Sequence, residues 1–412
     1  MNRIESRFSK DPDYDKAYHE FFFDYRELGH MEESHILGSV DLSYFIPHHG
    51  ILHNGKFRAV FNGAARDFNK VSINDLLHCG ANLLPDLAEL LISWMRYKYV
   101  FVSDIEHMFR QILVHEDDRR FQQVLWRDNA NEKIKTWSLN TVTYGMISSP
   151  FLAIRVIKQL ALDEGKNYPL AVEILEKETY MDDTLSGGHS LQEALDKQKS
   201  LIKICKVGGF SLHKWKANHP ALLDFSDSIC AKVGSSNSYF DLLGLHWSVE
   251  GDFFSFDFKK DDLSGKISKR IVLASVAKFF DPLGWLAPVI ITAKIFMQRL
   301  WLHKLSWDDS LPNELKNEFL TWYDSTPILK NIKISRWVEY IPGVKYELFG
   351  FADSSKLAYA ACTYLKVTHM GKSTGTFSTG QVKGSAYQTF ANNTKVGAQC
   401  CLSFNKISVQ GS

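Results

Sequence analysis

Apolar residues recur at helical intervals in three stretches of this chain. Leu87, Leu90, Leu91, Trp94 and Met95 mark one face of a helix between Pro85 and Arg96. Leu191, Leu195, Ile202 and Cys205 mark a second, opened by a capping pattern at Ser190 and Glu193 and stopped at Gly208-Gly209. Val272 to Trp301 is amphipathic, breaks at Asp281-Pro282-Leu283-Gly284, and resumes as a second apolar helix. Between these stretches the pattern changes to strands. Tyr99-Val100-Phe101-Val102 is an apolar, β-prone run ending in Ser103 and Asp104, followed by a more helical stretch from Ile105 to Val114. Leu243 to Trp247, Phe253 to Phe258, Phe349 to Ser355 and Ala358 to Leu365 also read as strands. Helices and strands interleave without repeats. Residues 1 to 40 are polar, aromatic and acidic, with Asp11-Pro12-Asp13 as a turn, and read as a lead-in outside the main fold.

With 45% hydrophobic residues and 23% charged residues, 412 residues suffice for two or three packed domains. The six cysteines show neither a CxxC pair nor metal-ligand spacing, which points to a reduced, cytoplasmic protein. Trp285 to Met297, the longest apolar stretch, is interrupted by Lys294 and too short to span a bilayer, so no membrane partner is expected. The net charge of +1 argues mildly against a nucleic-acid protein, but its distribution does not. Nine Lys or Arg face three Asp between Lys259 and Lys304, whereas residues 1 to 40 carry nine acids and five bases.

The strongest chemical signal is Tyr180-Met181-Asp182-Asp183, flanked by strand-like sequence. Adjacent carboxylates at a tight hairpin repel each other and call for a cation. Hard oxygen ligands suit Mg2+, and Asp104, at the end of its own strand, is a second carboxylate source for a two-metal site. Taken singly, Asp104 reads first as a helix N-cap, and Asp182-Asp183 as an acidic turn.

Together with Phe109 and the block Thr143-Tyr144-Gly145-Met146-Ile147-Ser148-Ser149-Pro150, these residues resemble a reverse transcriptase. More narrowly, five stretches resemble the polymerase region of BEL/Pao-type LTR retrotransposons. They are Leu28-Gly29-His30-Met31, Tyr44-Phe45-Ile46-Pro47-His48-His49, Lys56-Phe57-Arg58-Ala59-Val60-Phe61-Asn62, Ser72-Ile73-Asn74-Asp75-Leu76-Leu77 and Phe279-Phe280-Asp281-Pro282-Leu283-Gly284. The resemblance implies an α+β, right-hand polymerase with an antiparallel palm sheet, followed by an incomplete RNase H-like segment. Its implied divisions are an acidic lead-in (1–40), fingers and palm (41–258), a thumb or connection-like helical region (259–342), the start of an RNase H-like domain (343–366) and a tail (367–412).

The same resemblance implies the site. Asp104, Asp182 and Asp183 are the expected catalytic carboxylates, holding two Mg2+ ions (with Mn2+ as a substitute) together with the Ile105 carbonyl. Lys56, Arg58, Phe109, Tyr144 and Gly145 are expected at the incoming dNTP, with Phe109 excluding a ribose 2′-hydroxyl. Tyr144 stands where retroviral enzymes carry Gln, which removes an amide donor. Tyr180, Met181, Leu245, His246 and Trp247 are expected at the DNA primer, with Leu243 to Trp247 resembling the hairpin that holds its 3′ end. The implied partners are an RNA template, a DNA primer and dNTPs, in a cytoplasmic or virus-like-particle setting.

Asp353 resembles the first carboxylate of an RNase H site. No Asp or Glu follows it, so no RNase H activity is expected. The tail beyond Lys366 is rich in Gly, Ser, Thr and Lys, reads as frameshifted or read-through sequence, and is expected to be disordered. Two other readings compete. Asp353-Ser354-Ser355 also resembles an aspartic-peptidase loop, although the usual glycine is replaced by Ser355, and one such loop acts only in a symmetric dimer. The second is a decayed, non-catalytic retroelement fragment.

Overall fold

A computed structural model describes residues 2–34, 43–53, 55–224, 239–258, 260–369, 372–384 and 406–407. It is a mixed α/β fold built on antiparallel sheets. The central sheet has four strands in the spatial order Thr179–Tyr180, Asp183–Gly188, Tyr99–Ile105, Leu212–Ala217. Side chains alternate across a sheet, and here each face has its own cover. Phe101 and Ile105 pack against the helices Ser149–Glu164, Pro169–Lys177 and Leu191–Val207. Val100, Val102 and Leu185 face the helix Leu87–Met95 and the elements beyond residue 239. The periodic stripes in the sequence are these two covers. Ser190 caps its helix as expected, accepting from the Glu193 amide at 3.2 Å. The Glu193 carboxylate reaches back to the His189 amide at 2.8 Å.

Residues 2–34 do not behave as a lead-in. Asp11 is the N-cap of the helix Pro12–Glu27, not the centre of a turn, and accepts from the Tyr14 amide at 3.1 Å. That helix buries Tyr14, Tyr18, Phe22 and Tyr25 against the hairpin His48–His53/Lys56–Phe61 and the sheet Met31–Glu33, Lys135–Leu139, Gln123–Trp126. Phe22 stacks on Trp126 with ring centroids 4.4 Å apart. Aromatic residues spaced three or four apart among acids make an amphipathic helix whose polar face supplied the acidic composition.

The helix expected from Ile105 to Val114 is also absent. The central strand runs through Ile105, a single 3-10 turn covers Met108–Gln111, and Leu113 bridges to Thr141.

Beyond residue 239 a second four-stranded sheet, Tyr239–Leu242, Leu245–Ser248, Phe253–Ser255 and Lys333–Ser335, packs beside the helices Lys269–Ala277, Ala287–Leu302 and Asn313–Ser325. The Asp281-Pro282-Leu283-Gly284 break is an N-terminal lock. Asp281 accepts from the Trp285 and Leu286 amides at 2.8 and 2.7 Å, where the helix Ala287–Leu302 begins. The last sheet pairs Lys345–Ser354 with Ala358–His369, and the latter with Lys372–Gly384. The tail expected to be disordered from Val367 thus starts as strand, because Val367 is buried and the ladder supplies partners for its small polar residues through Gly384. Residues 385–405 lie outside the described residues. Among the described residues no helix is long and apolar enough to cross a membrane.

One buried charge ties these parts together. Arg336, fully buried, forks onto Asp252 at 2.6 and 2.7 Å and donates to the carbonyls of Trp94, Tyr97 and Lys98. Removing one member of a buried pair strands the other charge, at a cost of about 3–5 kcal/mol. Arg336→Ala is therefore expected to lower the unfolding free energy by that amount in chemical denaturation, and a loss under about 1 kcal/mol would show that the pair carries little.

Candidate functional site

Two segments that lie far apart in sequence meet in the central sheet. Asp104 sits directly opposite Asp183 in the antiparallel ladder between Tyr99–Ile105 and Asp183–Gly188. Tyr180 pairs with Asp183, so Met181-Asp182 is a two-residue hairpin loop. Met181 has φ +55°. It occupies the first central position of a turn whose twist matches antiparallel strands, a place that favours glycine. Strain of this kind persists only where the surroundings enforce it. They do: the Asp182 carbonyl accepts from the Ile105 amide at 2.8 Å, and Met181 packs onto the helix-covered core. The turn is thereby pinned to the end of the strand that carries Asp104.

From beneath, Glu178 anchors the strand leading into this turn. Tyr97 donates to its carboxylate at 2.6 Å, and Lys197 lies 3.6 Å from it and donates to the Tyr97 hydroxyl at 2.9 Å. Burial raises the Glu178 carboxyl above its ordinary range, with Lys197 opposing the shift.

The carboxylates form an electrostatically unfavourable group. Burial pushes Asp183 up to about 7, helped by the charges of Asp182 and Asp104. Asp182 is raised too, by burial first and then by Asp104. The nearby cation is Lys214, whose Nζ lies 2.7 Å from Asp104 Oδ2, and His213 Nδ1 lies 3.2 Å from Oδ1. The sequence reading missed both residues. Their signal was present in the alternation Leu212-His213-Lys214-Trp215-Lys216, but only the ladder shows that this strand borders Asp104.

Three hard oxygen donors at one sheet end fit a divalent cation by their chemistry. Among the described residues, however, no three His, Cys, Asp or Glu side chains are gathered closely enough to hold one as they stand. Asp104 is engaged by Lys214 and His213.

The other expected residues divide into exposed and committed. Lys56 and Arg58 are exposed on one face of the strand Lys56–Phe61, with no ion-pair partner among the described residues. Phe109 is partly buried against the helix-covered core. Tyr144 packs on Phe61 at 5.2 Å between centroids, and burial raises its hydroxyl. Gly145 has φ +95°, and a Cβ there would meet the Phe61 carbonyl at 2.0 Å. Its absent side chain lets the Thr143–Pro150 block close onto that strand.

The side chains of Leu245 and Trp247, expected at the primer, face the core. Both are buried on the inner face of their strand, and Trp247 Nε1 donates to Asp252 at 3.1 Å. His246, on the alternate face, remains partly exposed and pairs with Asp241 at 2.5 Å. Tyr180 is half-buried against the second core. Asp353 is exposed and accepts from the neighbouring Ser354 amide. Among the described residues no group of three His, Cys, Asp or Glu side chains gathers around it.

A carboxyl whose folded pKa lies above its unfolded one stabilises the fold while protonated. For Asp183 that contribution is complete below a pH of about 4 and is lost as pH rises through about 7. At pH 8 without divalent cation, Asp183→Asn is expected to unfold at higher denaturant than the native chain, with the gap closing toward pH 4. Adding Mg2+ at pH 8 should favour the native chain more. A gap independent of pH would refute the strained carboxylate group.

Residues 268–386 match the family model described as the Pao retrotransposon-like RNaseH-like domain. The match covers under a third of the chain, from the helix Lys269–Ala277 to the strand Lys372–Gly384. No curated protein matches the chain. The match supports a Pao retrotransposon origin and a nucleic-acid-processing family for this segment.

Proposed function

We propose that the chain is the reverse transcriptase region of a Pao-type retrotransposon polyprotein, extending a DNA primer on an RNA template from dNTPs. The observation that supports this reading best is the direct cross-strand meeting of Asp104 with Asp183, with Asp182 at the tip of a pinned turn beside them. An RNA-copying polymerase needs such a point of fixed anionic charge, and a purely structural sheet does not. In this reading the central sheet is the palm, and the N-terminal helices, hairpin and three-stranded sheet are the fingers. Residues 259–342 form the thumb or connection and the strands from 343 an RNase H-like unit, a division that falls inside the segment 268–386 matched as one RNaseH-like domain.

Asp104, Asp182 and Asp183, with the Ile105 carbonyl, would hold two Mg2+ ions. When bound, these acidify the primer 3′-hydroxyl and neutralise the departing pyrophosphate. Asp104 must then leave Lys214, exchanging one cation for another. Lys56 and Arg58 hold triphosphate oxygens, as point charge and fork. Phe109, propped by the core behind it, blocks a 2′-hydroxyl, and Tyr144 and Gly145 close the fingers strand over the base and sugar. The ordinary net charge is no obstacle in itself: between residues 260 and 304, Lys260, Arg270, Lys278 and Arg299 are paired with acids and Lys269 is buried, which leaves Lys266, Lys294 and Lys304 to meet a phosphate backbone.

The test is deoxynucleotide incorporation on poly(rA) primed with oligo(dT) in Mg2+, beside an Asp182→Asn/Asp183→Asn variant. Extension by the native chain that falls to background in the variant is the expected result. A folded native chain that binds the primed template yet adds nothing would sink the polymerase reading in favour of a non-catalytic fragment. With a labelled RNA–DNA hybrid, the RNA strand is expected to stay intact, because no Asp or Glu follows Asp353 and no carboxylate group gathers around it among the described residues.

A further inference from the structure

We infer that Phe280, a residue of the family-matched segment, is a positioning residue that holds in place the hairpin turn Leu243-Gly244, which shares the second core with the candidate catalytic turn. The inference rests on the polymerase reading for what the turn positions, namely the 3′ end of the primer. It rests on geometry alone for how.

Leu242 and Leu245 close a two-residue hairpin loop. Leu243 has φ +47° and Gly244 φ +88°. Both central residues are therefore left-handed, the turn type that matches the twist of antiparallel strands and prefers Asn-Gly or Asp-Gly. Leucine at the first position is costly, and such a conformation persists only if neighbours enforce it. The enforcing neighbour is Phe280. A Cβ on Gly244 would lie 2.8 Å from Phe280 Cδ1 and 3.1 Å from Cε1, so the turn backbone lies against the ring itself.

Phe280 is a poor core residue by burial. It is 42% exposed, while Phe279 beside it is 8% exposed and inside the second core. Its ring is spent on the turn and on solvent. Its own backbone is held firmly: the Phe280 amide donates to the Lys278 carbonyl at 3.1 Å, and the following Asp281 locks the helix start. A rigid ring on a locked loop is a suitable prop for a strained turn.

The supported turn also has a physical connection to the catalytic hairpin. Leu243 and Tyr180 are both partly buried against the second core, to which Leu185, Leu242, Leu245, Phe279 and Trp285 belong. The two turns therefore share one apolar support, and a shift of Leu243-Gly244 changes where a primer end sits relative to Asp182 and Asp183. Displacements of about 1 Å at reacting atoms cost up to about 100-fold in rate.

The experiment compares the native chain with Phe280→Ala, Phe280→Tyr, Gly244→Ala and the Gly244→Ala/Phe280→Ala double variant. It reads the single-nucleotide extension rate at saturating dNTP, primer–template affinity by fluorescence anisotropy, and amide hydrogen exchange across residues 239–248. For Phe280→Ala we expect an extension rate down about 10- to 100-fold, affinity within about threefold, and faster exchange confined to the hairpin. Phe280→Tyr keeps the ring and should restore the rate. In Gly244→Ala the added methyl meets the ring, and removing the ring in the double variant should recover part of the loss, a coupling that two independent defects would not show. Unchanged exchange in Phe280→Ala would overturn the prop. Faster exchange with an unchanged rate would overturn its positioning role. A native chain that extends no primer defeats the polymerase reading, and with it the role in primer placement, while hydrogen exchange still decides whether Phe280 holds the turn.

Discussion

The Arg336–Asp252 pair is the constraint on which the rest of the molecule depends. Its guanidinium satisfies three carbonyls where the helix Leu87–Met95 runs out, just before the strand that ends in Asp104. Asp252 in turn accepts from Asn218, which follows the strand carrying His213 and Lys214, and from Trp247 in the adjoining hairpin. Asn218 also accepts from the Val100 amide at 2.9 Å and donates to the Lys98 carbonyl at 2.8 Å. One fully desolvated charge thus fixes the entry of the central strand, its neighbour on one side and the second sheet. A buried arginine is tolerated because its donors find an anion or a carbonyl in fork geometry.

That anchor explains how the opposite end of the strand can be electrostatically unfavourable. Burial raises the proton affinity of Asp182 and Asp183, the Asp104 charge adds to both shifts, and Lys214 offsets only part of the effect. A marginal sheet would relieve such a group by fraying. This one is covered on both faces, by Phe101 and Ile105 toward the helices and by Val100, Val102 and Leu185 toward the second core. The fold stores the unfavourable charge at the place where a cation can discharge it.

Much of this was legible in the sequence, and the failures share a cause. The helices Leu87–Met95 and Leu191–Val207 and the strand Tyr99–Ile105 follow from spacing and caps, because those signals are local. The Asp182-Asp183 turn was legible because two adjacent carboxylates are costly without a reason. Residues 2–34 were misread since acidic composition hid an aromatic stripe that becomes apolar only against Trp126 and Phe57. Leu245 and Trp247 were assigned to a ligand because a strand's two faces look alike until a core is present to choose between them. His213, Lys214 and Arg336 depend on ladder register and long-range contact, which no local pattern encodes.

The shared second core has a consequence for how such a chain can be divided. The family-matched segment begins at residue 268, yet Phe279, Leu283, Trp285 and Leu286 close the same core as Val100, Val102 and Leu185 of the aspartate-bearing sheet, and Arg336 reaches back to residues 94–98. A recombination junction at 268 would therefore cut through a packed interior and part Arg336 from Asp252. Burial thus sets a different boundary from the match: Val100, Val102 and Leu185 of the aspartate-bearing sheet and Val338 belong to one interior.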